Sequence, residues 1–306
     1  MQNPVLFEGD AGRLYLLHTR QDAGELGVMQ QTSDVLQWWS DDDGASWAMC
    51  HEPVFARGFG AFVRGPVVSV GSDELLLPMY FTPNGEFDHR GQRSCCVRSL
   101  DGGATWAVNA QAEIRGTLRG IGIQPIVVRC GAADDGPTRL VALMRARPEP
   151  NARIMHSEST DEGLTWSAAQ RTALPSNNSS IAALTLPDGR LVVAFNNATW
   201  TERFPLSLAV SGDGGATFDR IVDIVSHQIQ GGALPGPVKS PYKKMWWGEH
   251  SYPSMHFDAD SRELNIAYTH CRQTIAFVRI KLAFLDEAPN HSCGFWQPQP
   301  KPITAL

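Results

Sequence analysis

"SGDGGATFDR", residues 211–220, reads at first as a turn and nothing more. Nearly the same string occurs three more times: "SDDDGASW" from Ser40, "SLDGGATW" from Ser99 and "STDEGLTW" from Ser159. All four fit Ser-x-Asp-x-Gly-x-Ser/Thr-Trp/Phe, and they recur about 50 to 60 residues apart, the mark of a repeat architecture. The motif residues are Ser40, Asp42, Gly44 and Trp47; Ser99, Asp101, Gly103 and Trp106; Ser159, Asp161, Gly163 and Trp166; and Ser211, Asp213, Gly215 and Phe218. The chemistry of each copy is local. Ser and Asp side chains bond nearby backbone N–H groups and hold a turn. The glycine permits positive φ, and the terminal aromatic plugs an apolar layer. Each copy is thus a stapled β-hairpin, and one residue type at every turn marks architecture rather than calcium binding or acid chemistry.

The segments ahead of the staples repeat as well. "QNPVLF", "RGPVVSV", "QPIVVR", "NSSIAALTL" and "YPSMHF" each open a β-branched run. Each is followed by a turn and a second run: "GRLYLLHTR", "ELLLPMYF", "RLVALMRAR", "GRLVVAFNN" and "ELNIAYTHCR". A unit of strand, turn, strand, loop, strand, staple, strand describes one propeller blade. Five such units are visible, the last without a staple. The fold expected is all-β, with residues 1–285 forming the propeller and the Pro-rich segment 286–306 a C-terminal surface extension.

Bulk properties agree. The chain has 306 residues, 42% hydrophobic and 19% charged, with 28 Gly and 20 Pro, as a globular chain of many short strands and turns requires. A net charge of −6 gives no support for nucleic-acid or membrane-surface partners. No apolar run approaches a membrane span, and "MQNPVLFEGDAG" shows no signal peptide, so a cytoplasmic location is the default expectation. The six cysteines form no C-x-x-C pair and no zinc spacing, so neither metal nor cofactor is called for. Glycosylation sequons at Asn177 and Asn197 are a weak pattern.

Blade topology puts the start of each first strand, the end of each second strand and the loop to the third strand on one face, opposite the staples. The strand starts carry Asn3, Arg64, Gln124, Asn178 and Tyr252. The second-strand ends carry Arg20, Tyr80, Arg145 with Arg147, Asn196, and His270 with Arg272. Arg203 lies in the loop before the fourth staple. A mouth so rich in arginine is a place for a small anionic ligand, because guanidinium grips carboxylate in a planar, bidentate fashion. The partner expected is a carboxylated glycan or small sugar.

These features resemble the sialidase (neuraminidase) superfamily. The staple resembles its Asp box, or BNR repeat. "QNPVLF", "PSNNSS" and "HSYPS" resemble segments of predicted bacterial-type neuraminidases, and the likeness runs from Asn3 to about Leu285. The resemblance implies a six-bladed propeller that cleaves terminal sialic acid with retention, using three arginines, a Tyr nucleophile activated by Glu, and an Asp acid/base. On it, Tyr252 stands at the nucleophile, Arg145 at the second arginine and Arg203 at the third, with Arg64 a further candidate for the carboxylate clamp. The remaining substrate-binding candidates are Asn178, Asn196, Tyr80, His270 and Arg272. Two departures stand out. Gln124 occupies the place of the Glu, and glutamine takes no proton from tyrosine. The first arginine and the Asp belong to the family's first blade, whereas "QNPVLFEGDAGRLYLLHTR" resembles the start of its second. That blade has no counterpart, so the chain reads as a truncated gene model or a five-blade remnant. Three functions stay open: a sialidase-like glycosidase or a relative acting on another carboxylated sugar such as a uronate, or a polysaccharide lyase on uronates using Tyr252 and His270; a non-catalytic glycan-binding propeller; and a scaffold for protein partners.

Overall fold

Alternation of side chains along each strand, and burial of both faces in the central sheets, builds five antiparallel sheets of three or more strands in chain order, together with two two-stranded ribbons, Ala23–Gly24 with Gly27–Val28 and Val238–Lys239 with Met245–Trp246. The computed structural model describes residues 2–21, 23–24, 27–28, 32–55, 60–82, 91–107, 112–114, 121–131, 139–146, 151–198, 203–225, 238–239, 245–246, 249–271 and 274–290. The first sheet holds Gln2–Glu8, Leu14–Arg20, Asp34–Ser40 and Ala48–Met49. In the second, Ala61–Val63 and Val68–Ser69 both pair with Leu75–Phe81, followed by Arg93–Ser99 and Ala112–Glu113. The third holds Ile121–Cys130, Arg139–Ala146, Arg153–Ser159 and Gln170–Pro175, and the fourth Ala182–Thr185, Leu191–Asn196, Leu206–Ser211 and Arg220–Val225. The fifth has three strands, His250–Asp258, Glu263–His270 and Thr274–Lys281. The molecule is an all-β, five-bladed propeller.

The strand "RLVALMRA", Arg139–Ala146, shows how the sequence makes such a ring. It reads as continuous apolar chain because both of its faces are covered. Leu140, Ala142 and Met144 pack towards the second sheet with Leu76, Cys96 and Trp166. Val141 and Leu143 point the other way, to Leu191, Val193 and Phe195 of the fourth. Similar clusters fill the seams between the first and second sheets and between the fourth and fifth. Each fully buried Leu or Val contributes about 1.5–3 kcal/mol, so these four seams hold the blades in place.

The four boxes are superposable hydrogen-bond staples. In the second, the Asp101 carboxylate accepts from the Thr105 backbone N–H at 2.9 Å and from the Thr105 hydroxyl at 2.6 Å, and Ser99 Oγ accepts from the Gly103 N–H at 2.8 Å. Asp42, Asp161 and Asp213 repeat the pattern. Bonding to Ser46 holds the Asp42 carboxyl down at about 2. Burial opposes the same effect at Asp213, but the bonds from Thr217 prevail and bring it to about 2. Trp106 and Trp166 are buried as expected. Trp47 and Phe218 are only partly buried, which departs from the sequence expectation. The Trp47 indole N–H donates to Gly44 O of its own box, at 3.0 Å.

Where a fifth box would lie, the chain forms a short helix, Leu282–Glu287. Leu285 is fully buried in the cluster between the fourth and fifth sheets. Arg220 donates to the carbonyls of Leu285 and Ala288, and Asn290 Oδ1 accepts from the Ile221 N–H at 2.9 Å. The start of the expected surface extension therefore plugs a seam; residues 291–306 lie outside those described. Both sequon asparagines, Asn177 and Asn197, are buried and are not presented as glycan acceptors. Among the described residues no helix is long and apolar enough to cross a membrane.

Candidate functional site

The starts of the first strands gather around one axis. Arg64, in the break between the two inner strands of the second sheet, donates from Nε to Ser180 Oγ of the fourth-sheet segment at 3.0 Å and from Nη2 to Pro253 O of the fifth at 2.8 Å. The break depends on Gly65, where a Cβ would stand 2.4 Å from Pro125 O of the third sheet. At the matching position in four sheets the backbone turns left-handed: Asn3 (φ 51), Gln124 (φ 54), Asn178 (φ 62) and Tyr252 (φ 54). Register shifts accompany three of these turns, in the first, third and fifth sheets. A positive φ at a non-glycine residue costs roughly 1–3 kcal/mol and concentrates where side chains are aimed for use, and a bulge re-aims one side chain out of the alternation.

Three guanidiniums surround Tyr252. Arg64 and Arg203 lie over its ring, 5.7 Å and 5.3 Å from the centroid, and Arg145 Nη1 stands 3.5 Å from its hydroxyl. Arg145 is held by the carbonyl of Asn178 at 3.1 Å, and its buried Nε has no partner among the described residues. Burial pushes the Tyr252 phenol up, but the charges of Arg145 and Arg203, the hydrogen bond from Arg145 and the charge of Arg64 outweigh it, and the net shift is downward. Burial, with the neighbouring charge of Arg145, also lowers the Arg64 guanidinium.

Glu249 is the residue that sequence reasoning missed. It is 3% exposed, accepts from Arg203 Nη1 at 2.7 Å and takes the Ser251 hydroxyl at 2.6 Å. Backbone bonds lock both partners: His250 N–H donates to Arg203 O at 2.8 Å, and Cys271 N–H to Glu249 O at 2.6 Å. The only sequence signal was an acid three residues ahead of the candidate tyrosine, in "GEHSYPS". One carboxylate against three guanidiniums leaves the cluster net positive.

The other candidates divide. Tyr80 is buried, stacks on Phe62 at 4.8 Å and contributes to the electrostatics of Arg64. Asn196 Nδ2 donates to His250 O at 2.8 Å and its Oδ1 is unpartnered among the described residues; His270 packs against His250, ring centroids 4.9 Å apart. Gln124 is buried with Oε1 unpartnered among the described residues, so its amide is free to receive a donor. Arg20 instead pairs with Asp34 within the first sheet at 2.6 Å. Arg272 and Arg147 lie outside the described residues. Among the described residues no three His, Cys, Asp or Glu side chains converge as a metal site. The cluster can hold an anion, stabilise a phenolate at Tyr252, and hydrogen-bond a polar ligand through Gln124 and Asn196.

Comparison with known proteins places this geometry. The family described as a BNR repeat-like domain matches residues 1–266. No curated protein matches the chain. Among solved structures, the Hadza microbial sialidase aligns with a TM-score of 0.64 at 17% identity, over 92% of this chain and 52% of that one. The intramolecular trans-sialidase from Ruminococcus gnavus, in complex with oseltamivir carboxylate, aligns at 0.63 and 12%, over 94% and 79%. The Trypanosoma rangeli sialidase in complex with sialic acid aligns at 0.54 and 16%, over 92% and 44%. The chain thus spans about half the length of two of these neighbours, and at these identities the likeness is one of fold. The chain belongs to the BNR repeat-like domain family and has the propeller fold of the sialidase superfamily.

Proposed function

We propose that the mouth binds a carboxylated sugar of the sialic-acid type, with Arg64, Arg145 and Arg203 as the carboxylate clamp and Tyr252 beneath the anomeric carbon. The observation that carries this reading is the placement of three guanidiniums around one tyrosine ring. Two of the structural neighbours hold ligands of this kind, sialic acid and oseltamivir carboxylate. Guanidinium matches the two oxygens of a carboxylate where a lysine offers a point charge.

Retaining cleavage needs a nucleophile and a proton donor on opposite sides of the scissile bond. Tyr252 has the arginines to favour its phenolate, but Gln124 is no base and no acid stands opposite it among the residues assigned to the site. On this reading the 306-residue chain binds its sugar and turns it over very slowly or not at all, and the working ring has six blades, of which this chain supplies five. The non-catalytic reading rests on Gln124 itself. The lyase reading is weaker, because His270 lies against His250. The test is turnover of an activated aryl sialoside, whose good leaving group relieves the need for an acid. Turnover should be near background and should rise in Gln124→Glu. Robust turnover by the chain, unchanged in Tyr252→Phe, would refute the assignment of Tyr252.

A further inference from the structure

The clamp and Tyr252 fix one atom of any carboxylated sugar. Arg145 Nη1 donates to the Tyr252 hydroxyl at 3.5 Å, and Arg64 and Arg203 stand 5.7 Å and 5.3 Å from the ring centroid. A carboxylate gripped by these guanidiniums therefore brings the carbon that bears it beside the phenol oxygen. In a sialic acid that carbon is the anomeric one and carries no hydrogen. In a hexuronic acid it is C5, and it carries one. The placement that offers an anomeric carbon to a nucleophile thus offers a uronate C5–H to a base.

The surroundings suit proton removal. A hydrogen next to a carboxylate becomes acidic when the charge that gathers on the carboxylate oxygens is neutralised, and three guanidiniums against the single carboxylate of Glu249 leave a net positive cluster to do so. Burial raises the Tyr252 phenol, but the charges of Arg145 and Arg203 outweigh it and favour the phenolate, which is the base. Gln124, 3% exposed and with Oε1 unpartnered among the described residues, adds no charge to oppose a developing dianion; a glutamate there would. His270, packed against His250, takes no part.

We propose that the site carries out β-elimination on 4-O-linked uronic acids, with Tyr252 as both base and acid, and that it takes only those whose C5 hydrogen and O4 lie on one face of the ring. This rests on the carboxylate clamp of the proposed function and goes beyond it. The Tyr252 phenolate takes the C5 proton. The electron pair of the C5–H bond becomes the C4=C5 double bond, the C4–O4 bond breaks, and the proton now on the phenol passes to the departing O4. Tyr252 returns as the phenolate, and neither water nor a co-reactant enters. One oxygen serves both groups only when they are on the same side of the ring. Glucuronate and mannuronate meet that condition. Galacturonate and guluronate carry the two groups on opposite faces and do not.

The test is to incubate the 306-residue chain with oligomannuronate and with a 4-O-linked glucuronate disaccharide. Products should absorb in the ultraviolet, from the double bond conjugated to the carboxylate, and their masses should sum to that of the substrate without the added water of hydrolysis. Oligoguluronate and oligogalacturonate should give no such products. Tyr252→Phe should lose at least about a hundredfold in rate while still binding oligomannuronate by calorimetry. Gln124→Glu, which should gain on a sialoside, should lose elimination. No double bond from mannuronate or glucuronate, equal rates on guluronate or galacturonate, elimination that survives in Tyr252→Phe, or faster elimination in Gln124→Glu would each overturn the proposal. Calorimetry with sialic acid separates the two readings. Sialic acid bound, with no double bond from any uronate, refutes the elimination alone; neither sialic acid nor a uronate bound refutes the clamp beneath both.

Discussion

Replacing Glu249 by glutamine removes one charge from the most deeply buried ion pair among the described residues. The Glu249 side chain is 3% exposed and that of Arg203 13%, at an N···O distance of 2.7 Å. Exposed pairs contribute at most about 1 kcal/mol, but breaking a buried pair leaves an uncompensated charge and costs about 3–5 kcal/mol. Glutamine keeps the shape and an oxygen for Ser251, so Glu249→Gln should fall near the lower end of that range. The assay is urea unfolding followed by circular dichroism and by tryptophan fluorescence, with coincident transitions as the condition for reading a free energy. A double variant, Glu249→Leu with Arg203→Met, leaves no orphan charge and should be markedly less destabilised than Glu249→Gln. A loss below about 1 kcal/mol in Glu249→Gln, with no recovery in the double variant, would falsify the view that this pair is desolvated and holds Arg203 in place.

Three further outcomes follow from the same geometry. Arg203→Lys should weaken binding of sialic acid by calorimetry without unfolding the chain, since a point charge does not replace a planar fork; equal affinity would remove Arg203 from the clamp. Affinity for the carboxylate should fall as pH rises through the depressed phenol of Tyr252, because its phenolate then competes for the same arginines. By linkage the ligand should raise that phenol in an absorbance titration, and an affinity flat to pH 10 would exclude the competition. Asp101→Ala should cost about 1–3 kcal/mol and leave ligand affinity unchanged, whereas Asp42→Ala, in the box with no sheet beneath it among the described residues, should cost less. The reverse order would deny the packing of boxes on sheets.

The ring was legible because its signals are local and repeated. A Ser-x-Asp-x-Gly-x-Thr-Trp string folds back on its own backbone wherever it stands, so its four copies marked four hairpins without knowledge of their neighbours. Arg64, Arg145, Arg203 and Tyr252 were legible through topology, since strand starts and strand ends of like blades share one face. What escaped depends on non-local contacts. Arg20 occupies a strand end like Arg145 but has Asp34 directly across the sheet, and a cross-strand pair is not visible before register is known. Glu249 is tied to Arg203 across 46 residues. The left-handed turns at Asn3, Gln124 and Tyr252 each precede a proline, yet proline alone announces an extended neighbour and not a positive φ. Nothing in "LAFLDE" said that a helix would fill the place of a missing box.

The central claim is that the three arginines read a carboxylate. The most direct measurement is paired calorimetry of the 306-residue chain with sialic acid and with its methyl ester, which keeps every hydroxyl and removes only the charge. The account predicts measurable binding of the acid, lost in Arg145→Ala, and binding of the ester weaker by at least about tenfold, the equivalent of 1.4 kcal/mol. Equal binding of acid and ester, or binding of the acid that survives Arg145→Ala unchanged, would contradict it.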